Sequence, residues 1–520
     1  MDTSEDTRGL SREIVVLGAV FVLGAIMTVL DLTIVNVAVP TLGRELHTSI
    51  STVQWVMTGY TLAFASVIPL TGWATERFGA KRVWLASLVL FMAGSALAGA
   101  AWSIGSLIGF RIVQGLGAGM IIPVGQTILA QAAGPQRMGR VMSLIGVPML
   151  LGPILGNVIG GAIVDQVSWR WIFYINLPVG VVALIAAIRL LPEAQPRLGE
   201  RLDVRGLALL SPGIAVFLYG MSEAGNRGGF GNTRTVAAAA VGVALVALFV
   251  WHATARGKDA LIDVSLLARR GFATAAALNF LLIGALFGSL LLLPLYYQLV
   301  RHETPLQTGL LLVPQGFGAA VAMPLAGWLT DRIGARIVVS VGIVLAAVGM
   351  LAYTQVGAGT SYVYLAVALF VVGLGIGSTI VPSMAAAFQA LAREETPRGT
   401  SALNAIQRIA GAIGTALLAI VLQRAIEAKL PALHGGIQAI GALSRRGSAT
   451  VAPALADAFG TSFWVAVGVI LTALVPALLL PGARRGYLQV RDDAARERAG
   501  AQAGAAGDAP RVDGERLASR

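Results

Sequence analysis

Long apolar runs, interrupted at short intervals by clusters of Arg, Gly and polar residues, occupy most of the 520 residues of this chain. Most of the runs reach the ~20 residues that a helix needs to cross about 30 Å of hydrocarbon. Measured that way, the chain predicts fourteen membrane helices. The first six lie at approximately 14–40, 51–72, 84–102, 106–130, 141–164 and 172–191. Two follow near 204–222 and 234–252, and six more near 272–297, 306–329, 337–356, 362–389, 400–423 and 459–481.

Composition agrees. The chain is 56% hydrophobic with a mean hydropathy of +0.77 and only 12% charged residues, against about 25% in a soluble domain. With no Cys, disulfides, thiol catalysis and thiolate metal sites are excluded. His47, His252, His302 and His434 all fall near segment ends, so metal chemistry is not expected. The net charge of +12 is spread over short loops rather than gathered in one cluster, which favours membrane orientation over a nucleic-acid partner. The first run is too long for a signal-peptide core and is expected to remain as the first span. With the N-terminus in the cytoplasm, Lys and Arg in loops and tails favour the inner side by roughly three to one, as the positive-inside rule requires.

An internal repeat divides the chain. Gly72-Trp-Ala-Thr-Glu-Arg-Phe-Gly-Ala-Lys-Arg82 returns as Gly327-Trp-Leu-Thr-Asp-Arg-Ile-Gly-Ala-Arg336. Both copies follow an even-numbered helix, so both fall on the cytoplasmic side of two like halves. The expected organisation is a cytoplasmic N-terminus (1–13), a six-helix bundle (14–191), a linker carrying an inserted helical pair (192–271), a second six-helix bundle (272–482) and a disordered cytoplasmic tail (483–520). In the repeated loops, Gly72, Gly79, Gly327 and Gly334 permit tight turns, and Glu76 and Asp331 can pair with an Arg or a helix end to latch one conformation. The plainer alternative is that Arg77, Arg332 and their neighbours merely set orientation.

Charges inside the spans are costly, about 2.5 to 3.5 kcal/mol each at a helix centre, and usually mark function. Three stand out: Asp31, Arg111 and Arg408. Asp31 and Arg111 fall at depths differing by roughly 6 Å, from a rise of 1.5 Å per residue, and can meet. Such a pair either carries a proton or is a static ion pair. Arg408 either lines a cavity or is satisfied by helix carbonyls. Asn36, Gln54, Gln126, Asn279, Gln315 and Asn404 are further polar positions that line a cavity or bridge helices, and Tyr60, Trp55, Phe64 and Phe287 either contact a greasy substrate or pack. Gly152, Gly156 and Gly160, four apart and joined by Pro153 and Gly161, clear one helix face for close approach with a bend.

These segments resemble the major facilitator superfamily. The repeated loops look like its signature loop, and Leu30-Asp-Leu-Thr-Ile-Val-Asn-Val-Ala-Val-Pro40 is similar to the first-helix motif of its fourteen-helix drug:proton antiporters, the EmrB/QacA type. Leu107-Ile-Gly-Phe-Arg-Ile-Val-Gln-Gly-Leu-Gly-Ala-Gly119 resembles the fourth-helix motif, whose Arg is associated with proton coupling and here is Arg111. Gly152 to Gly161 resembles the antiporter motif of the fifth helix, and Trp169-Arg-Trp-Ile-Phe-Tyr-Ile-Asn-Leu-Pro-Val-Gly180 the segment that follows it. Glu76 departs from the usual Asp.

The resemblance implies an all-α major facilitator fold of two six-helix bundles with an inserted hairpin, in a bacterial inner membrane. It implies export of amphipathic small molecules by alternating access. The bendable, tightly packed fifth helix would then act as a hinge and seal at the interface between the halves, with Asp31 and Arg111 coupling to protons. No phosphate-binding G-x-x-x-x-G-K-[ST] occurs, so the expected energy source is an ion gradient, without a cofactor. A carrier of one metabolite is the main alternative. An intramembrane enzyme would need convergent nucleophile, base or metal ligands that the spans lack. Whether a periplasmic adaptor docks on the outer loop from about Arg424 to Gly460 is left open.

Overall fold

The structure, a computed structural model, describes residues 12–134, 137–193, 196, 201–431 and 445–480. Within them the chain is helical. The first bundle contains α1 (Arg12–Glu45), α2 (Ile50–Val67), α3 (Leu70–Phe78), α4 (Ala80–Gly99), α5 (Ile104–Ala133), α6 (Met138–Gln166), α7 (Trp171–Tyr174) and α8 (Asn176–Leu190). The hairpin is α9 (Val204–Asn226) and α10 (Thr233–Arg256). The second bundle contains α11 (Arg270–Leu299), α12 (Pro305–Ile333), α13 (Ala335–Tyr353), α14 (Tyr362–Gln389), α15 (Thr396–Lys429), α16 (Arg445–Thr472) and α17 (Leu474–Leu479).

Local chemistry sets the helix ends. A Ser103–Ser106 capping box opens α5, and a Thr304–Gln307 box with Pro305 in the first turn opens α12. Both repeated segments are helical on either side of a single glycine, and Gly72 and Gly327 lie within the helices and make no turn. The reversal is made by Gly79 (φ 86°) and Gly334 (φ 88°), in backbone that a Cβ would strain. Equivalent helix pairs in the two bundles pack on glycine. A Cβ on Gly94 of α4 would lie 2.6 Å from the Gln114 backbone of α5, and one on Gly349 of α13 would lie 2.7 Å from the Val372 backbone of α14.

Twelve of the described helices are long and apolar enough to cross a membrane, and a bent pair raises the number to thirteen. That pair covers the span expected at 51–72 and shows it bent, not straight. The chain breaks by 56° between Ser51–Val67 and Leu70–Phe78, at Pro69, which has no backbone N–H to continue the helix. The fourteenth expected span coincides with α6, a helix of 29 residues, many of whose side chains lie outside the described set. The outer loop expected from Arg424 to Gly460 is shorter: α15 runs on to Lys429 and α16 already begins at Arg445. Residues 432–444, the N-terminal residues 1–11 and the tail from 481 lie outside the described residues.

The inserted pair is not peripheral. The C-terminal half of α9 lies between the two bundles, with Tyr219 stacked on Trp55 of α2 at 5.9 Å and Gly225 against Ala416 and Ala419 of α15. At its other end Asp203, buried, caps α9 through the Gly206 amide and accepts from His252 Nε2 (2.9 Å) of α10 and from the Leu261 amide (3.2 Å). Burial alone would push the Asp203 carboxyl up, but these donors outweigh it and hold it below the usual carboxylate range.

Candidate functional site

At the centre of the first bundle, Asp31 of α1 and Arg111 of α5 form an ion pair. Arg111 Nη1 donates to Asp31 Oδ2 at 2.5 Å, with the side chains 0% and 1% exposed. The other carboxylate oxygen, Oδ1, accepts from Gln114 Nε2 at 2.9 Å and Asn176 Nδ2 at 3.2 Å. Asn176 Nδ2 also reaches Ser95 Oγ at 3.1 Å, whose hydroxyl donates to the Phe173 carbonyl. Arg111 has further acceptors in Gln114 Oε1 (2.7 Å) and the Val56 carbonyl (3.4 Å), and its guanidinium lies 4.0 Å from the centroid of the Tyr60 ring. A desolvated ion pair is tolerable only when its remaining donors and acceptors are satisfied. Three helices besides α1 supply those groups.

Two of the recognised segments serve this pair. In the segment after the fifth helix, Trp169 Nε1 donates to Glu45 at 2.7 Å, Arg170 Nη1 donates to the carbonyls of Gly99 (3.0 Å) and Ala101 (2.7 Å), and Asn176 reaches Asp31. The glycine face of α6 is pressed onto α1, where it brackets Asp31. A Cβ on Gly152 would lie 2.6 Å from Val29, one on Gly160 would lie 2.7 Å from Ile34, and one on Gly156 would overlap Thr33. The helix also lies against α12 and α14 of the second bundle, so α6 stands at the interface between the halves while its glycine face is turned to α1. The glycines seat α6 within its own bundle, and Gly146, one turn and more away, is the glycine that meets Met323 and Val381 of the second bundle. Gly161 is half-buried, and the Pro153 side chain lies outside the described set.

A second cluster joins the bundles on the face of the repeated turns. Arg398, at the start of α15, donates from Nε to both Glu76 oxygens (3.2 and 3.0 Å) and from Nη2 to Oε2 (2.9 Å). Its Nη1 also reaches the Ala260 carbonyl in the segment after the hairpin (3.3 Å). Gly72 makes room for this, since a Cβ there would lie 3.1 Å from Arg398 Cα. Ser401 Oγ donates to the Ile68 carbonyl at 2.8 Å, and Asn404 Nδ2 donates to Gln126 Oε1 at 2.8 Å. In the second copy, Arg332 stacks 3.9 Å from the centroid of Trp328, Gly327 is buried, and the Asp331 side chain lies outside the described set. Arg77 is half-buried and has no ion-pair partner among the described residues.

The remaining polar candidates separate. Gln126 and Asn404 bond to each other and tie the bundles together. Asn279 is 1% exposed and is held by the Ala275 carbonyl and Gln407 (3.3 Å). Gln315 is buried, whereas Asn36 and Gln54 are exposed, and none of the three has a side-chain hydrogen bond among the described residues. Arg408 lies with its guanidinium 4.3 Å from the centroid of Phe64. Gln114, Asn176 and Arg398 were not singled out by the sequence. Gln114 stands one helical turn after Arg111, a position from which a side chain can reach the same partner.

The fold and site define a multi-pass membrane protein, helical throughout its described residues, whose two bundles are clasped at one face and whose first bundle holds a buried ion pair. The Major Facilitator Superfamily matches residues 21–415, and the chain belongs to that family. It is 40% identical over 481 residues, 89% of each chain, to the "Multidrug resistance protein B homolog" of Mycobacterium tuberculosis (strain ATCC 25618 / H37Rv). It is 32% identical over 399 residues to the "Multidrug export protein EmrB" of Haemophilus influenzae, covering 76% of this chain and 78% of that one. The human organic anion transporter MFSD10 (TETRAN) shares the fold, with a TM-score of 0.60 at 17% identity, over 90% of this chain and 100% of that one.

Proposed function

We propose that the protein is a proton-coupled multidrug efflux antiporter of the inner membrane, with the face of the repeated turns in the cytoplasm. In that orientation the Glu76–Arg398 clasp closes the cytoplasmic side, and the conformation is the outward-facing one. Small amphipathic molecules are the substrates, and a periplasmic adaptor, where one is engaged, docks at the opposite face. An ion gradient rather than ATP drives the cycle.

The observation that carries the proposal is the occupancy of Asp31. Both carboxylate oxygens are already taken by donors, Oδ2 by Arg111 and Oδ1 by Gln114 and Asn176. The Arg111 charge beside it favours the ionised carboxylate, so a proton binds more readily when Arg111 withdraws, and Arg111 can withdraw because Gln114 Oε1, the Val56 carbonyl and the Tyr60 ring still receive it. Protonation is thus tied to movement of α5 against α1, the coupling that alternating access needs. The experiment is performed in everted vesicles carrying a preformed pH gradient. Several structurally unrelated amphipathic compounds should each dissipate the gradient in vesicles containing the protein. A response to one compound alone would point to a metabolite carrier, and no response to any would remove proton coupling.

A further inference from the structure

The segment that returns the chain from the hairpin to the second bundle is buried without being a regular helix. After α10 and a short turn at Gly257–Asp259, Ala260, Leu261 and Ile262 are 1%, 2% and 6% exposed. Buried backbone groups in such a stretch need partners from elsewhere in the protein. The Leu261 amide donates to Asp203 Oδ2 at 3.2 Å, and the Ala260 carbonyl accepts from Arg398 Nη1 at 3.3 Å. These two groups belong to one peptide unit. The unit is planar and trans, so its carbonyl and its N–H point to opposite sides, and a rotation that breaks one bond breaks the other.

The charges of the partners suit the peptide. Its N–H end is positive and its carbonyl end negative, and a carboxylate holds the first while a guanidinium holds the second. Asp203 is set in turn by His252 Nε2 of α10 (2.9 Å), with Arg256 Nη1 3.6 Å from Oδ1, and Arg398 is set by Glu76 of α3. A line of alternating charge thus runs from the foot of the hairpin, through one peptide, to the ion pair that clasps the bundles. The far end of the segment is fastened to the same turn, since Arg269 makes two bonds of 2.7 Å to Glu395, the residue before α15.

We infer that the hairpin takes part in closing this face: Asp203, through the Ala260–Leu261 peptide, is a positioning residue that holds the Arg398 guanidinium against Glu76. The inserted pair is then more than a filler between the bundles, because loosening its foot loosens the clasp. Coupling of this kind is mutual, so breaking the clasp loosens the foot by the same factor. It fixes which parts move together, whatever compounds are carried and whatever drives them.

The test uses the full chain in nanodiscs, where N-ethylmaleimide reaches both faces. With no native Cys, Ser401→Cys reports on the clasped face. Asp203→Asn and Asp203→Ser both keep a side-chain oxygen to cap α9 at Gly206. Neither keeps the bond to Leu261, because the amide turns its NH2 toward that N–H and the hydroxyl is too short to reach it. A residue that only caps the helix would leave the labelling rate unchanged in both. A positioning residue raises it in both by about three- to tenfold, the weight of one hydrogen bond in the closed state. In a Glu76→Gln background, where the guanidinium has lost its charged partner, the same substitutions should add less than about twofold. An unchanged rate with Glu76 present, or factors that multiply in the double variants, would overturn the inference. A second readout leaves Asp203 intact. Ile262→Cys, at the foot of the hairpin, should be labelled about three- to tenfold faster in the Glu76→Gln background than with Glu76 present, and equal rates would likewise overturn the inference.

Discussion

Glu76 in α3 and Arg398 in α15, 322 residues apart in the chain, are held in a nearly buried ion pair that clasps the two bundles. Arg398 also holds the Ala260 carbonyl, so the segment leading from the hairpin is fastened at the same point. Replacing Glu76 by Gln removes the charge and should cost the closed state about 1.5 to 3 kcal/mol, a ten- to hundredfold change in population. A Cys at Ser401, a fully buried position beside the clasp, should then be alkylated from the proposed cytoplasmic side at least about tenfold faster in the Glu76→Gln background. Unchanged labelling would mean that the Asn404–Gln126 bond and the packing around it hold the face shut without the ion pair.

The contact between Gly156 and Thr33 bears directly on the setting of Asp31. Gly156→Ala should push α6 off α1 and cost about 1 to 3 kcal/mol, as overpacking does, with transport falling at matched protein abundance. Removing the Thr33 hydroxyl, in the Gly156→Ala/Thr33→Ala double variant, should recover part of both. The measurement is thermal unfolding in detergent alongside transport, and losses that simply add would show that the two residues do not share a contact.

The placement of α9 between the bundles is open to a covalent test. A Cβ at Gly225 would lie 3.5 Å from that of Ala419, inside the range in which disulfides form. With no native Cys to interfere, Gly225→Cys and Ala419→Cys together should cross-link under mild oxidation, and each single variant should not. Failure to cross-link would move the C-terminal half of α9 away from α15.

Asp203 predicts a pH-dependent anchorage of the hairpin. Its folded carboxyl is held below its ordinary value, so the stability it contributes is fully present above the unfolded pKa of about 3.9 and is lost as pH falls through the lower folded value. Asp203→Ala, which also removes a helix cap, should lower stability by about 0.5 to 2 kcal/mol at neutral pH. The difference from wild type should shrink toward acid. Unfolding midpoints measured from pH 7 downward check both statements, and a difference that stays constant with pH would take the ionised carboxylate out of the account.

How much of this was legible in the chain depends on how sharply each residue contrasts with its surroundings. Asp31 and Arg111 stand out because a charge inside an apolar run has few explanations, and the structure brings the two together. Arg398 does not, because it begins a helix among Arg393, Glu394 and Glu395, where one more charge reads as an orientation signal. Gln114 and Asn176 are neutral amides, and only the folded arrangement of α1, α5 and α8 turns them toward one carboxylate. The break at Pro69 was hidden for a related reason: Pro123, Pro294 and Pro382 also sit inside apolar runs, yet their helices continue through them. The glycine face of α6 announced close packing but not its partner, since small residues specify a short distance and not which helix fills it.

The central claim is that Asp31 carries the coupling proton, and the most direct measurement is substrate accumulation in proteoliposomes under an imposed pH gradient, comparing wild type with Asp31→Asn at matched protein amount. Asn keeps an oxygen for Arg111, which also retains Gln114 and Val56, so the variant should fold and bind substrate. The account predicts uphill accumulation by wild type and its loss in Asp31→Asn, with downhill substrate movement retained. Full gradient-driven accumulation by Asp31→Asn would contradict it, and Asp31 would then be a structural ion-pair partner of Arg111.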